Sequence, residues 1–230
     1  MSNPRGDILG AIRTALKRPE AHGAKNISIQ QRMLAHKANL IPARGRLGTK
    51  ARVDLFIREA EQVQATVARV SVLAGVPREV ARFLAKNNLP MRLKTAPETS
   101  RNTIPWSEQT LLSVEEGRAD GSEETCVSQA FAGVAETGTL VMLSGADSPT
   151  TLNFLPPTHI VVLGMADIAG DYEEIWDRLR REKTNEAGRF MPRTVNWISG
   201  PSRSADIEQT LLLGAHGPQR LHIVIVDGVA

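Results

Sequence analysis

Cysteine occurs once in the 230 residues, at Cys126, and tyrosine occurs once. A single thiol excludes an intrachain disulfide and fits a reducing compartment. It also excludes an iron–sulfur cluster held by this chain alone, because such clusters generally take about four thiolate ligands. No apolar run approaches the roughly 18 to 20 residues that would span a bilayer. The opening Met1-Ser2-Asn3-Pro4-Arg5-Gly6-Asp7 has no apolar signal stretch, so a cytoplasmic protein is expected. His22, His36, His159, His216 and His222 show no helical i, i+4 pair, and no metal site is expected. Neither a Gly-x-Gly-x-x-Gly fingerprint nor a Gly-Lys-Ser/Thr phosphate loop is present. No cofactor is therefore expected on this chain; electrons, if it handles any, are expected to travel through partners.

What is present describes an ordinary folded chain: 41% hydrophobic and 23% charged residues, enough to bury a sizeable core. Charge is uneven. Residues 1–50 hold ten Lys/Arg against two Asp/Glu, a net of +8, and residues 51–230 hold eighteen against twenty-three, a net of −5. The first stretch reads as a basic helical arm or extension, either simply solvated or docking on an acidic partner. With aromatics at 4%, stacking platforms for nucleic acid are poorly supplied.

Periodicity places a short helix over 5–18 and a long amphipathic helix from Val53 to Leu73, with Leu55, Phe56, Ala60, Val63, Val67 and Val70 at helical spacing. Pro77 opens a further helix to about Lys86, and Met91–Lys94 reads as a short strand. From Thr125 the signal sharpens. Four β-branched runs, Thr139–Leu143, His159–Leu163, Thr194–Ile198 and Leu221–Val226, alternate with helical patterns over Ser148–Leu155, Asp171–Lys183 and Ala205–Leu213. Alternation of this kind predicts an α/β domain over 51–230, with a mainly parallel sheet covered by helices on both faces.

Open parallel sheets bind ligands beyond the carboxyl ends of their strands. Three such ends carry glycine or serine turns: Ser144-Gly145, Gly164, and Ser199-Gly200-Pro201-Ser202-Arg203-Ser204. In the last, Ser202, Ser204 or Asp206 can cap a following helix whose free N–H groups, with Arg203, would hold a carboxylate or phosphate. Equally, the capping is purely structural and Arg203 pairs with a nearby carboxylate. Ala135-Glu136-Thr137-Gly138-Thr139 offers Glu136 as an acid, base or nucleophile, or as a solvated turn residue. His216 stands in a turn expected at the opposite end of the sheet. Cys126 reads as a buried inert thiol and His159 as structural.

These strings are familiar together. Ala135-Glu136-Thr137-Gly138-Thr139, Leu155-Pro156-Pro157-Thr158-His159-Ile160-Val161-Val162, Gly200-Pro201-Ser202-Arg203-Ser204-Ala205-Asp206-Ile207-Glu208 and Leu213-Gly214-Ala215-His216-Gly217-Pro218 resemble the lactate utilization protein C family, the LUD domain formerly called DUF162. Ser204 stands where threonine is expected, and the hydroxyl is kept. The resemblance implies a fold like that of the ribose-5-phosphate isomerase, glucosamine-phosphate deaminase and CoA-transferase group. It implies a non-redox subunit supporting oxidation of L-lactate to pyruvate beside iron–sulfur partner proteins; the small carboxylate or phosphate ligand is what the Arg203 turn itself suggests. The site residues expected are Glu136 as catalytic group, with Thr137, Gly138, Thr139, Ser144, Gly200, Ser202, Arg203, Ser204 and Asp206 binding the ligand. The alternative is a stand-alone enzyme acting on a phosphorylated or CoA-linked carboxylate, with Glu136 as base or nucleophile.

Overall fold

The computed structural model describes residues 4–16, 29, 31–32, 34–97, 104–184, 191–204 and 212–228. The chain divides into two compact units, Met1–Leu40 and Ile41–Ala230. The first holds α1 (Pro4–Ala15), with Asp7 in its first turn and Arg13 in its last, the signs that suit a helix dipole. Residues 41–50 fold with the larger unit, where Gly45 packs against the backbone of Gly170.

The larger unit is built on a six-stranded sheet whose pairings are all parallel. Its strands are β1 (Thr66–Val70), β2 (Arg92–Thr95), β3 (Ser113–Glu116), β4 (Thr125–Gln129), β7 (Thr158–Gly164) and β12 (Arg220–Val226), in the order β1-β12-β7-β4-β2-β3. The predicted α/β class with a mainly parallel sheet is thus what the chain adopts. One face packs on α2 (Thr49–Gln62) through Phe56, Ala60, Val161, Leu163 and Ile223; the other packs on α3 (Val76–Lys86) through Val80, Leu84, Ile160 and Val224. Successive residues of a strand point to opposite faces, so these fully apolar strands serve two cores.

Two expectations need correction. The helix from Val53 stops at Gln62, and Val67 and Val70 lie on strand β1. Gln64 takes a positive φ of 69° and Ala65 N–H closes on Ala60 C=O at 3.0 Å, which ends the helix. The β-branched residues beyond then pair with β12, from Thr66 opposite His222 to Val70 opposite Val226. A three-residue spacing fits a helix, but a free parallel edge decides for the strand. Second, the runs at Thr139 and Thr194 do not join the parallel sheet. The chain leaves that sheet at Ala130 and builds a second one from β5 (Ala132–Val134), β6 (Thr139–Leu143), β8 (Ile168–Ala169) and β9 (Val195–Ile198), in the order β8-β5-β6-β9. Strand β9 runs antiparallel to β6.

The remaining helices are α4 (Thr151–Phe154) and α5 (Tyr172–Lys183); Asp171 caps α5 by accepting from Glu174 N–H at 3.0 Å. The helix expected over Ala205–Leu213 falls mostly outside the described residues. Arg203–Ser204 (β10) and Leu212–Leu213 (β11) pair as a short antiparallel ribbon.

Gly138 and Gly200 explain how the second sheet meets α2. Both have positive φ, 62° and 74°. A Cβ at Gly138 would lie 2.3 Å from Ala60 N, and one at Gly200 would lie 2.3 Å from Val63 O. Each turn lays bare backbone on the C-terminal end of α2. Gly138→Ala should therefore destabilise by roughly 2–5 kcal/mol in urea unfolding, from backbone strain plus overlap. Gly145→Ala, with nothing nearer than 3.9 Å, should change stability by less than about 0.5 kcal/mol.

Each face of the central sheet buries one histidine. His222 stacks on Phe83 with ring centroids 4.2 Å apart; its neutral ring accepts from Thr66 Oγ1 at Nδ1 (2.8 Å) and donates from Nε2 to Glu79 (3.2 Å). Burial pushes His222 down to about 4 despite that carboxylate, and pushes His159, on the other face, down to about 3. Both stay neutral in the folded chain while their unfolded counterparts, titrating near 6.5, take up protons. Stability is therefore complete above about pH 6.5 and falls as pH drops towards 4. By pH 4.5 each histidine should cost roughly 2–3 kcal/mol. Urea midpoints measured from pH 7 to 4.5, a window above most carboxylate titration, should fall, and His222→Gln should flatten that fall by about half.

Candidate functional site

A cleft of about 440 Å³ opens where the end of β9 crosses the amino ends of β7 and β12. Val63, just before β1, His159, second in β7, and Leu221, second in β12, contribute to its wall. This cleft lies at the end of the parallel sheet opposite to the carboxyl ends, where a crevice is expected from sequence. The reason is the second sheet: β9 delivers Ser199-Gly200-Pro201-Ser202-Arg203 from outside, against the turn that leads into β12. Ser202 N–H donates to Pro218 C=O (2.8 Å), Gly214 N–H donates to Ser202 C=O (3.0 Å), and Ser202 Oγ accepts from His216 N–H (3.2 Å).

Arg203 is exposed, and its guanidinium donates to Val63 C=O at the end of α2. That bond uses one of its five N–H donors among the described residues. Among the described residues that line the cleft it is the one permanently charged group, and none of them is a carboxylate. The expected helix N-terminus does not follow it directly, because Arg203 and Ser204 are extended. Asp206 lies outside the described residues, as does the capping expected of it.

Four hydroxyls run behind the cleft. Tyr172 Oη lies 2.9 Å from Thr137 Oγ1 and 3.2 Å from Thr139 Oγ1; the two threonines are 2.7 Å apart, and Thr139 lies 2.6 Å from Ser199 Oγ on the cleft wall. The structure thus gathers Thr137, Gly138, Thr139, Gly200, Ser202 and Arg203 around the end of α2 and the cleft. It does not gather Ser144 or Glu136. Leu143 pairs with Val195, and Ser144 bonds Thr194 at the start of β9, a strand's length (roughly 15 Å) from Ser199. Glu136 is buried on the β5–β6 turn; its carboxylate faces Arg44 Nε at 4.0 Å, and it is absent from the cleft wall.

Two residues on the wall were read differently from sequence. His216 belongs to the turn before β12, and since the cleft is at that end of the sheet, it lines it. His159 lines it too. Its Nε2 lies 2.6 Å from Ser128 Oγ, which in turn donates to Asn153 Oδ1 at 3.3 Å. The signal was available: His159 stands inside one of the four strings that carry the resemblance. Cys126 is buried with its thiol pushed up to about 12 by burial, first, and by the Glu123 carboxylate, so it is no nucleophile at neutral pH. Among the described residues no group of three or more His, Cys, Asp or Glu could hold a metal ion, and no helix is long and apolar enough to cross a membrane.

The comparisons agree with the architecture. A crystal structure of a DUF162 family protein from Deinococcus radiodurans aligns with a TM-score of 0.56 and 22% identity, over 78% of this chain and all but 1% of the other (99% covered), so the fold is shared. A protein of Neisseria meningitidis serogroup B described as uncharacterized is 42% identical over 43% of this chain and 40% of its own length. Lactate utilization protein C of a Geobacillus species is 35% identical over 47% and 45%, and that of Bacillus subtilis 35% identical over 41% and 38%. These matches span less than half the length of the curated relatives. Residues 53–226, which take in both sheets and every wall of the cleft, match the LUD domain, and the chain belongs to the LUD-domain family.

Proposed function

We propose that this chain is the cluster-free subunit of a lactate-utilization system, binding a small carboxylate in the β9–β12 cleft while iron–sulfur partner proteins carry the electrons. The names of its relatives support the pathway. Its composition supports the division of labour, since one buried, protonated thiol cannot ligate a cluster. The observation that carries the ligand class is electrostatic. The described wall of the cleft holds one guanidinium and no carboxylate, beside hydroxyls and small-residue turns that let backbone approach a ligand.

The guanidinium anchors the acid. A charged hydrogen bond in such a site is worth about 1.5–3 kcal/mol, so Arg203→Ala should weaken binding of L-lactate about tenfold or more in calorimetric titration. The loss of its bond to Val63 C=O should cost only about 1 kcal/mol of stability. A tagged chain drawn gently from cells growing on lactate should bring iron-containing proteins with it, seen as visible absorbance and iron in the eluate. Recovery of the chain alone, together with unchanged affinity in Arg203→Ala, would overturn the proposal.

A further inference from the structure

The β9–β12 cleft has more room and more apolar wall than a three-carbon acid uses. At about 440 Å³ it falls in the range of pockets that enclose drug-sized molecules. Its described wall includes Val63, Phe154, Ile198, Pro201 and Pro218 beside the polar groups already placed. Phe154, the last residue of α4, keeps 39% of its surface exposed. An aromatic ring left in water on the wall of a cleft is apolar surface that a ligand can cover.

Gly217 keeps the way to that ring open. A Cβ there would lie 3.4 Å from Ser202 Cβ and 3.9 Å from Phe154 Cδ1. The ring and the turn that carries Arg203 thus face one another across a single bare residue. Gly217 does not have a positive φ, so the backbone does not demand glycine here, and what glycine supplies is room. Val63 joins the charged and apolar parts of the wall: its C=O accepts from the Arg203 guanidinium, while its half-buried side chain lies against Gly200.

We infer that the cleft is an amphiphile site, in which Arg203 holds a carboxylate and the apolar tail of the same molecule passes Gly217 onto Phe154. This rests on the anion-binding reading above and extends it to the rest of the ligand. The class is the medium-chain monocarboxylates, and acids the size of lactate occupy the charged end alone. A second carboxylate at the far end of the tail would meet Phe154 with no cation beside it among the described wall residues, so dicarboxylates are rejected.

The test is titration calorimetry on the full chain with propionate, butyrate, hexanoate, octanoate and the uncharged 1-octanol. A methylene moved from water onto apolar surface is worth about three- to fourfold in affinity. Affinity should therefore climb along the acids, with octanoate tenfold or more tighter than propionate. Without a carboxylate for Arg203, 1-octanol should bind at least tenfold more weakly than octanoate. Phe154→Ala should flatten the climb and Phe154→Leu, which returns apolar surface, should restore most of it; circular dichroism checks that both fold. If all four acids bind equally and are weakened together in Arg203→Ala, the anion reading stands and the apolar subsite is overturned. A climb untouched by Phe154→Ala, or 1-octanol binding as tightly as octanoate, overturns it as well. If no acid binds at millimolar concentration, both readings fall.

Discussion

Two stretches of bare backbone lie on the last turn of one helix, and the geometry of the molecule follows from that contact. Gly138 approaches Ala60, Gly200 approaches Val63, and neither position has room for a Cβ. Through them the β5–β6 hairpin and the end of β9 are pinned to α2, which is buried on the central sheet by Phe56 and Ala60. Backbone-to-backbone packing at this distance leaves little freedom to slide, so the second sheet has one position available to it. The glycines of two family strings are thus explained by packing before any ligand is considered.

The polar residues around the cleft form two sets that face it from behind. On one side Tyr172, Thr137, Thr139 and Ser199 pass hydrogen bonds from α5 to the cleft wall. On the other, Asn153, Ser128 and His159 do the same from α4 and β4 to β7. Hydroxyls and amides suit this work because each can both donate and accept, so they bond one another without bringing charge into the interior. The charge stays at the rim, on Arg203. A neutral floor thus lies beside a cationic edge.

The cleft described above lies at the end of the parallel sheet opposite to the one where an open α/β sheet ordinarily holds its ligand. The carboxyl ends of β4 and β7 lead into the second sheet, and the amino ends of β7 and β12 form the cleft with β9. The rule that looks for a crevice at the carboxyl ends does not lead to this cleft, and Ser144, chosen by that rule, is not on its wall. His216 lines it, since the turn before β12 stands at that end of the sheet.

Local pattern was enough for much of the chain. The β-branched runs of β7 and β12 could only be buried strands and Pro77 marked the start of α3, because each of these depends on residues near in sequence. The strings around Glu136, His159, Gly200 and His216 were also legible as a set. What they do to one another was not. Whether Val67 and Val70 continue a helix or pair with β12, whether β9 runs with or against β6, and which nitrogen of His159 meets Ser128 are all settled by partners more than a hundred or several tens of residues away. Composition and periodicity describe what a segment can bury, and only the assembled sheets supply the edge, the neighbour and the proton acceptor that choose among the possibilities.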